Sequence, residues 1–345
     1  MQNYKFTVTG YAGYEEEALR IRNANRPFSR TPQAAAWHYK SLAGAPEPKV
    51  FWVRDMANQA VGMASVVYRP YWVDGRQEYF GVLGDISLAS DMRGKGIGKQ
   101  LMLFIDQHLD TAVPAYRGFV MANTAGQKTA ASGGWRTEGQ LVLHVMPINL
   151  LAKAGKMIGK LRAQPVKRGI FTAILKRLLN FYIPKGYSIR LNDTLDENFD
   201  GLWEAYPKTG LIFEDRSAAS LKWRYLDQPG HDFIIATLHY QNKLAGYAVI
   251  KMTDDRRTCE ICDLLVAKPH SVECLLAALI IQCIQQYPVI EARIILGDSH
   301  PYRKHFWKLG FIRRAIPGAY QSYGPDGRTI DRNLVWMITA GDKDA

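Results

Sequence analysis

Residues 85–101 read DISLASDMRGKGIGKQL, and this segment joins a strand pattern to a helix pattern through a glycine-rich turn. Glycine lets a backbone turn tightly and approach a ligand closely, and the N–H groups that open a helix favour an anion. Arginine and lysine side chains add cationic donors on the same side. The spacing differs from the dinucleotide-binding fingerprint and from Walker A, so it predicts another kind of phosphate or pyrophosphate site, with a tight surface turn as the alternative. The residues of this predicted site are Arg93, Gly94, Lys95, Gly96, Ile97, Gly98 and Lys99.

Helix and strand patterns alternate on both sides of this segment and predict a mixed α/β (α+β) domain. The turn signal Asp74-Gly75 separates two of the strands. Predicted helices cover residues 14–23, 31–41 and 98–109, and predicted strands cover 50–54, 60–68, 78–88, 117–122 and 139–146.

The length and charge of the chain limit the classes of protein to which it can belong. Its 345 residues predict two domains, at about 100–200 residues per domain. The formal net charge is +12, and ten basic residues lie between Glu138 and Asp193, where the sequence has no acidic residue. The rest of the chain is close to neutral, which argues against a uniformly basic nucleic-acid-binding protein. The chain shows no signal-peptide pattern and no apolar run near the roughly 20 residues of a membrane helix, so we expect a cytoplasmic protein.

The basic segment, residues 150–186, carries two apolar patterns at helical spacing, each with a Lys/Arg face on the other side. A solvated linker is one interpretation. A helix pair lying peripherally on the inner, anionic face of a membrane is another. An acidic partner, such as an acyl carrier protein or a nucleotide-sugar diphosphate, is a third. Nucleic acid is disfavoured because aromatic side chains are not interleaved with the charges.

The order of motifs in the first block recurs in the second part of the chain. The Trp-His-Tyr motif at residues 37–39 corresponds to Trp-Arg-Tyr at 223–225, and the strands that follow contain Asp85 and Asp263. One repeat at long period indicates a duplicated domain. We therefore expect domains at residues 1–149 and 187–345, joined by a helical linker at 150–186.

The segment at 85–101 closely resembles the signature of the GNAT superfamily of N-acetyltransferases, in which a strand and a short turn lead into (Arg/Gln)-x-x-Gly-x-(Gly/Ala) at a helix start. Arg93, Gly96 and Gly98 occupy its three defined positions. The resemblance implies two tandem GNAT-like domains and a loop whose amides hold the pyrophosphate of acetyl-coenzyme A (acetyl-CoA), the acyl donor. It also implies that backbone groups around Leu88 pair with the pantetheine arm and that Asn123 contacts the cofactor.

Two departures from the family pattern bear on the mechanism. The family often has a tyrosine four residues before a Gly-Phe pair, as the acid for the departing thiolate. Here the pair is Gly134-Trp135, and Ala130 stands at the tyrosine position, so water or another side chain would protonate the sulfur. In the second block, residues 266–271 replace the glycine loop with Val-Ala-Lys-Pro-His-Ser. We therefore expect one cofactor site, in the first domain, and a degenerate second domain.

Asp85 is the candidate base or water-relay anchor, because an amine must lose a proton when it attacks the thioester. The alternative is a structural pairing with a neighbouring group. The expected function is transfer of an acetyl or related acyl group to a primary amine. The arrangement resembles bacterial tandem-GNAT proteins, some of which look like accessory enzymes of cell-surface polysaccharide synthesis. A small amine such as an amino sugar is therefore the first acceptor class to test. Transfer of a longer acyl group from a carrier protein and non-catalytic sensing of acyl-CoA are the alternatives.

The cysteine and aromatic motifs favour structural roles. Cys259 and Cys262 form a C-x-x-C, but Cys274 and Cys283 lie in an apolar helix pattern, so buried thiols are favoured and no metal is expected. The aromatic motif at residues 37–39 could line an acceptor groove, although aromatic residues at this spacing are more often core.

Overall fold

The structure is a computed structural model that describes residues 4–26, 28–42, 44–112, 117–122, 124–149, 170–192, 194–269, 271–324 and 330–342. In these residues the expected mixed α/β architecture is confirmed, with helices packed on one large mixed sheet. The strands are β1 Lys5–Thr9, β2 Lys49–Arg54, β3 Ala60–Val73, β4 Arg76–Leu88, β5 Arg117–Ala122, β6 Arg136–Pro147, β7 Tyr187–Leu191, β8 Leu211–Glu214, β9 Phe233–Tyr240, β10 Lys243–Met252, β11 Thr258–Val266, β12 Glu291–Gly297, β13 Ile312–Tyr323 and β14 Val335–Trp336. The helices are α1 Glu15–Ala24, α2 Pro32–His38, α3 Ile97–Ala112, α4 Thr124–Ser132, α5 Ile170–Asn180, α6 Glu197–Ala205, α7 Ala218–Leu221, α8 Ser271–Gln286 and α9 Arg303–Phe306.

The helices and strands predicted for the first block are all present with differences at their ends, and the structure adds α4, which was not predicted. The strand predicted at residues 60–68 continues to Val73 because its last residues pair with two strands at once: Tyr71 lies opposite Glu78 of β4 and opposite Glu214 of β8. The predicted turn at Asp74-Gly75 is confirmed, with positive φ at both residues.

The two halves of the chain share one sheet by exchanging a strand each. We call residues 4–149 the first half and residues 187–342 the second half. The main strand order is β1-β2-β3-β4-β5-β13-β6-β12-β11-β10-β9-β7. Strand β13 of the second half therefore lies between β5 and β6 of the first, and β6 lies between β13 and β12. Each half completes its sheet with a strand from the other.

Helices cover both faces of the sheet in the first half. Alternate residues of β2 contribute to different buried clusters, because successive side chains of a strand point to opposite faces. Ala18 and Ile21 of α1 join one cluster, and Ile97 and Leu101 of α3 join the other. The segment that contains α1 and α2 and the segment that contains α3 and α4 therefore lie on opposite sides of β4.

A bulge and an opening mark the end of β4. Parallel pairing of β4 with β5 is confined to residues 80–82 and 117–119, although both strands continue further. The pairing of β4 with β3 shifts register between Gly84 and Ser87, and Asp85 in this bulge has φ +49°. The carboxyl end of β4 is thus separated from β5, and a cleft opens in the sheet directly before the glycine loop.

The corresponding opening of the second half contains a segment of the chain itself. Parallel pairing of β11 with β12 ends at Ile261 and Ile294. Beyond it, the Gly297 N–H donates to the Ile338 carbonyl at 2.9 Å, and Leu296 forms a bridge with Thr339. Residues 338–342 therefore occupy the gap between these two strands.

The basic segment is described only from residue 170, so the first of its two predicted helices lies outside the described residues. The second is α5, whose Leu179 is buried against the second half while Ile174, Leu178 and the following Phe181 are exposed. Among the described residues, no helix has both the length and the apolar character to cross a bilayer.

Candidate active site

The glycine loop presents an open backbone at the start of α3. Gly94 and Gly96 have φ values of +77° and +75°, which side-chain-bearing residues rarely adopt. A Cβ atom built at either position would meet no heavy atom within 4 Å, so a ligand can approach the main chain. Lys95 and Lys99 are exposed beside it, and the first turn of α3 contains no acidic residue. This combination of free space, cations and a helix N-terminus suits a phosphate group.

Neighbouring residues fix the position of the loop. The buried side chain of Ile97 anchors the first turn of α3 in the core. Arg93 donates from Nε to the Leu88 carbonyl at 3.2 Å and from Nη2 to Asn25 Oδ1 at 2.9 Å. Arg93 therefore ties the loop to the end of β4 and to the end of α1, a role that the sequence does not reveal. Asn123, which the family resemblance implicates, lies outside the described residues.

Asp85 lies in a cluster of charged side chains at the bulge of β4. Its Oδ2 accepts a hydrogen bond from Arg30 Nη1 at 2.7 Å and one from the Tyr39 hydroxyl at 3.1 Å. Its Oδ1 lies 3.3 Å from Arg22 Nε, and His38 Nε2 lies 3.9 Å from Oδ2. The Asp85 side chain is only 4% exposed. These contacts favour the structural pairing that the sequence leaves open beside the base role, because both carboxylate oxygens face guanidinium groups.

Sequence reasoning missed Arg22 and Arg30, although the repeat carries a signal for Arg30. Arg30 lies seven residues before Trp37, and Arg216 lies seven residues before Trp223. The residue after each arginine, Thr31 or Ser217, caps the following helix with its side-chain oxygen. The two halves therefore share a longer motif, Arg-(Thr/Ser)-x5-Trp-x-Tyr, which places an arginine next to a helix start.

The second half repeats the contact between this arginine and the strand aspartate. Arg216 Nε donates to Asp263 Oδ1 at 3.0 Å, and both side chains are fully buried. Arg216 Nη2 also donates to both carboxylate oxygens of Asp342, at 3.1 and 3.0 Å. Arg224, the counterpart of His38, pairs with Glu214 at 2.5 Å. In each half this pairing holds a helix, α2 or α7, against the bulged strand, β4 or β11.

The helix that follows the strand carries opposite charges in the two halves. The first turn of α8 contains Glu273, whose Oε1 lies 2.7 Å from His305 Nδ1 and 2.8 Å from Lys308 Nζ. Burial tends to raise the pKa of Glu273, but these two hydrogen bonds lower it overall. A carboxylate therefore lies at the start of α8 in the second half, whereas lysines lie at the start of α3 in the first half.

Several residues that the sequence analysis considered for functional roles are buried in the structure. Ala130, at the family's tyrosine position, is fully buried in α4. The aromatic motif belongs to the core, and Trp37 stacks on its repeat counterpart Trp223 at 5.0 Å between ring centroids. Cys259, Cys274 and Cys283 are buried free thiols as expected, whereas Cys262 is half-buried.

Comparisons with known proteins agree with this geometry. Residues 16–130 match the model of the Acetyltransferase (GNAT) family. No curated protein sequence matches the chain. Among solved structures, a GCN5-related N-acetyltransferase from Anabaena variabilis aligns with a TM-score of 0.64 and 12% identity, over 92% of this chain and 72% of that one. A tandem GNAT protein from the clavulanic acid biosynthesis pathway aligns with a TM-score of 0.58 and 14% identity, over 94% and 100%.

A third similar structure is Saccharomyces cerevisiae N-myristoyltransferase with bound myristoyl-CoA. It aligns with a TM-score of 0.55 and 9% identity, over 97% of this chain and 84% of that one. At these identities the structural likeness establishes the fold, and the family match covers the part of the chain that carries the glycine loop. Residues 16–130 therefore match the GNAT acetyltransferase family, and this match together with the fold of the chain supports a GNAT-type acyltransferase.

Proposed function

We propose that this chain transfers an acyl group from acyl-CoA to a primary amine at a single donor site in the first half. The observation that carries the proposal is the open glycine loop between the separated end of β4 and the start of α3. Myristoyl-CoA in a structure of the same fold supports an acyl-CoA donor. Acetyl-CoA is the donor that the resemblance to the GNAT signature favours.

The chain's own residues divide the work of binding and positioning. The N–H groups of residues 94–98, with Lys95 and Lys99, would hold the donor's phosphates. The backbone near Leu88 would pair with the pantetheine arm, and Asn123 would contact the cofactor. Bound acyl-CoA supplies an activated thioester carbonyl. Because Ala130 carries no acidic group, water or another side chain protonates the departing thiolate.

The second half supports the donor site without holding a donor. Glu273, paired with His305 and Lys308, occupies the start of α8 where phosphates would have to bind. Residues 338–342 fill the opening that the pantetheine arm would need. We therefore expect one acyl-CoA per chain.

The acceptor is an amine, and an amino sugar is the first class to test. A thiol-release assay over a panel of amines separates the candidate functions. Turnover with free acyl-CoA supports the proposal. Turnover that requires an acylated carrier protein supports the carrier-dependent reaction, and tight binding of coenzyme A without turnover supports a sensor.

The donor site is tested by a double variant, Arg93→Glu with Gly96→Asp. It adds negative charge and a strained side chain to the loop, so we expect the affinity for coenzyme A to fall at least about 100-fold, measured by isothermal titration calorimetry. The matched control is Lys268→Glu with Gly310→Asp, which makes the same kinds of change in the second half, where Gly310 has φ +89° and open space around it. Wild-type affinity in the loop variant, with an intact melting transition, would refute this placement.

A further inference from the structure

Helix α5 has a stripe of exposed apolar side chains in addition to the face that packs on the core. Leu179 is buried against the second half, whereas Ile174, Leu178 and Phe181 are 52%, 54% and 80% exposed. The Phe181 N–H donates to the Leu178 carbonyl at 3.2 Å, so the helical turn continues past the end of α5. Spacings of four and three residues place the three exposed side chains on one side of the helix. This side of α5 has no apolar partner among the described residues.

A second exposed aromatic side chain lies next to the end of this stripe. The Tyr182 hydroxyl donates to the Lys308 carbonyl at 2.8 Å, which joins the turn after α5 to the turn after α9. Trp307 precedes Lys308 and is 70% exposed. All eight tryptophans of the chain lie in described residues, and Trp307 alone is exposed. We call residues 174–182 and 303–308 together the α5–α9 surface.

Basic side chains surround the apolar ones on this surface. The sequence has no acidic residue at positions 139–192 or 299–325. The side chain of Glu273, the carboxylate that contacts Lys308, is only 10% exposed. The exposed basic residues of the surface are Arg177, Arg303, Lys304 and Lys308. The α5–α9 surface is therefore both apolar and positively charged.

This combination suits an anionic lipid bilayer. Apolar side chains enter the boundary between headgroups and acyl chains, where tryptophan is enriched. Each lysine or arginine close to anionic headgroups strengthens binding about fivefold. A nucleic acid would pair with the charges and leave Ile174 and Leu178 in water. An acidic protein would have to supply a matching apolar groove, whereas an anionic bilayer offers both kinds of contact over its whole area.

We propose that the α5–α9 surface binds an anionic lipid bilayer peripherally, with Phe181 and Trp307 at the boundary between headgroups and acyl chains. Grouped exposed apolar side chains mark an interaction surface, unlike single ones. The surrounding charges identify its partner as anionic. This inference is independent of the proposed acyl transfer, since it uses no residue of the donor site.

The experiment measures cosedimentation of the full chain with vesicles of phosphatidylcholine, with and without roughly 30% phosphatidylglycerol. We expect the partition coefficient to be at least about tenfold higher for the anionic vesicles and to fall as salt is added. Phe181→Gln with Trp307→Gln should lower it at least about tenfold on anionic vesicles. Arg177→Gln with Lys304→Gln should lower it about tenfold or more through the loss of two charges.

Tryptophan fluorescence tests the depth of the contact. Anionic vesicles that contain phosphatidylcholine with brominated acyl chains should quench the emission of Trp307, because the other seven tryptophans are buried or half-buried. Trp307→Phe keeps an aromatic ring for insertion, so it should still bind the vesicles and lose most of the quenching. Binding without quenching in the wild-type chain would overturn the proposed insertion.

Matched controls remove the same kinds of side chain from the first half. Phe28→Gln with Met56→Gln replaces apolar side chains that are 81% and 83% exposed, and Arg20→Gln with Lys40→Gln removes two exposed charges. Both should bind vesicles as the wild-type chain does, and all variants should keep the wild-type melting transition. Equal binding to neutral and anionic vesicles, or an equal loss in the control variants, would overturn the inference. So would charge-dependent binding of an acyl carrier protein by a chain that ignores vesicles.

Discussion

At the scale of single residues, Asp85 and Asp263 make the same contact in the two halves. A catalytic site in the first half alone would not explain the contact in the second. Both accept a hydrogen bond from the arginine seven residues before the aromatic motif, at 2.7 Å and 3.0 Å. The second half keeps this contact although its helix start carries Glu273 in place of a glycine loop. A pairing present in both halves is explained by its structural effect, which is to hold a helix against a bulged strand.

Asp85→Asn tests this role directly. The variant leaves two largely buried guanidinium groups without an ionised partner, so we expect the free energy of unfolding to fall by about 3 kcal/mol, measured by urea titration. The acidic limb of the pH–rate profile for thiol release should stay in place, because the carboxylate acts as an ion-pair partner. A displaced limb would assign Asp85 the base role. Asp263→Asn, the matched change, should lower stability without altering the KM for acyl-CoA.

At the scale of elements, local features were predictable and distant ones were not. The glycine loop, its strand and its helix are contiguous in sequence, so their patterns predicted the loop's position. Arg22 and Arg30 reach Asp85 from more than 50 residues away; only comparison of the two repeats singles out Arg30, and nothing in the sequence singles out Arg22. The strands at residues 117–122 and 139–146 were also predicted, but their neighbour β13 was not, because strand partners are chosen by packing across the whole chain.

The exchanged strand β6 makes stability depend on pH through His144. Burial lowers the pKa of His144 to about 4, so it stays neutral in the folded chain while the unfolded chain gains a proton near pH 6.5. The contribution of neutral His144 to the free energy of unfolding is therefore fully present above pH 6.5. It is lost as the pH falls towards 4, by up to about 1.4 kcal/mol per pH unit.

His144→Phe should reduce the number of protons taken up on unfolding by up to one and so flatten the pH dependence. A phenylalanine can keep the ring contact with Phe306, whose centroid lies 5.3 Å from that of His144. The measurement is the urea-unfolding free energy at several values between pH 4.5 and 7. Buried His300, whose pKa burial also lowers, should leave a residual slope in the variant. A variant with the wild-type slope would show that His144 does not contribute.

At the scale of the whole molecule, the motif repeat predicts a duplicated domain, and the shared sheet makes the two halves interdependent. Strand β13 pairs with β5 and β6 of the first half, and Trp37 donates from Nε1 to the Trp223 carbonyl at 2.7 Å across the halves. We expect one unfolding transition, with coincident midpoints by tryptophan fluorescence and circular dichroism. Residues 1–149 alone should show no cooperative transition. Two separated midpoints in the full chain would contradict this expectation.

The exchange of strands has a consequence for the origin of the chain. Two copies of a single-domain ancestor would make the same pairing across a twofold axis, each lending the other its last long strand. Fusion into one polypeptide would then have fixed the partnership and freed one copy from selection for donor binding. That copy could lose its glycine loop and still be kept, because one of its strands completes the other copy's sheet. The second half would then serve as a permanent partner of the first, to whose sheet it contributes β13.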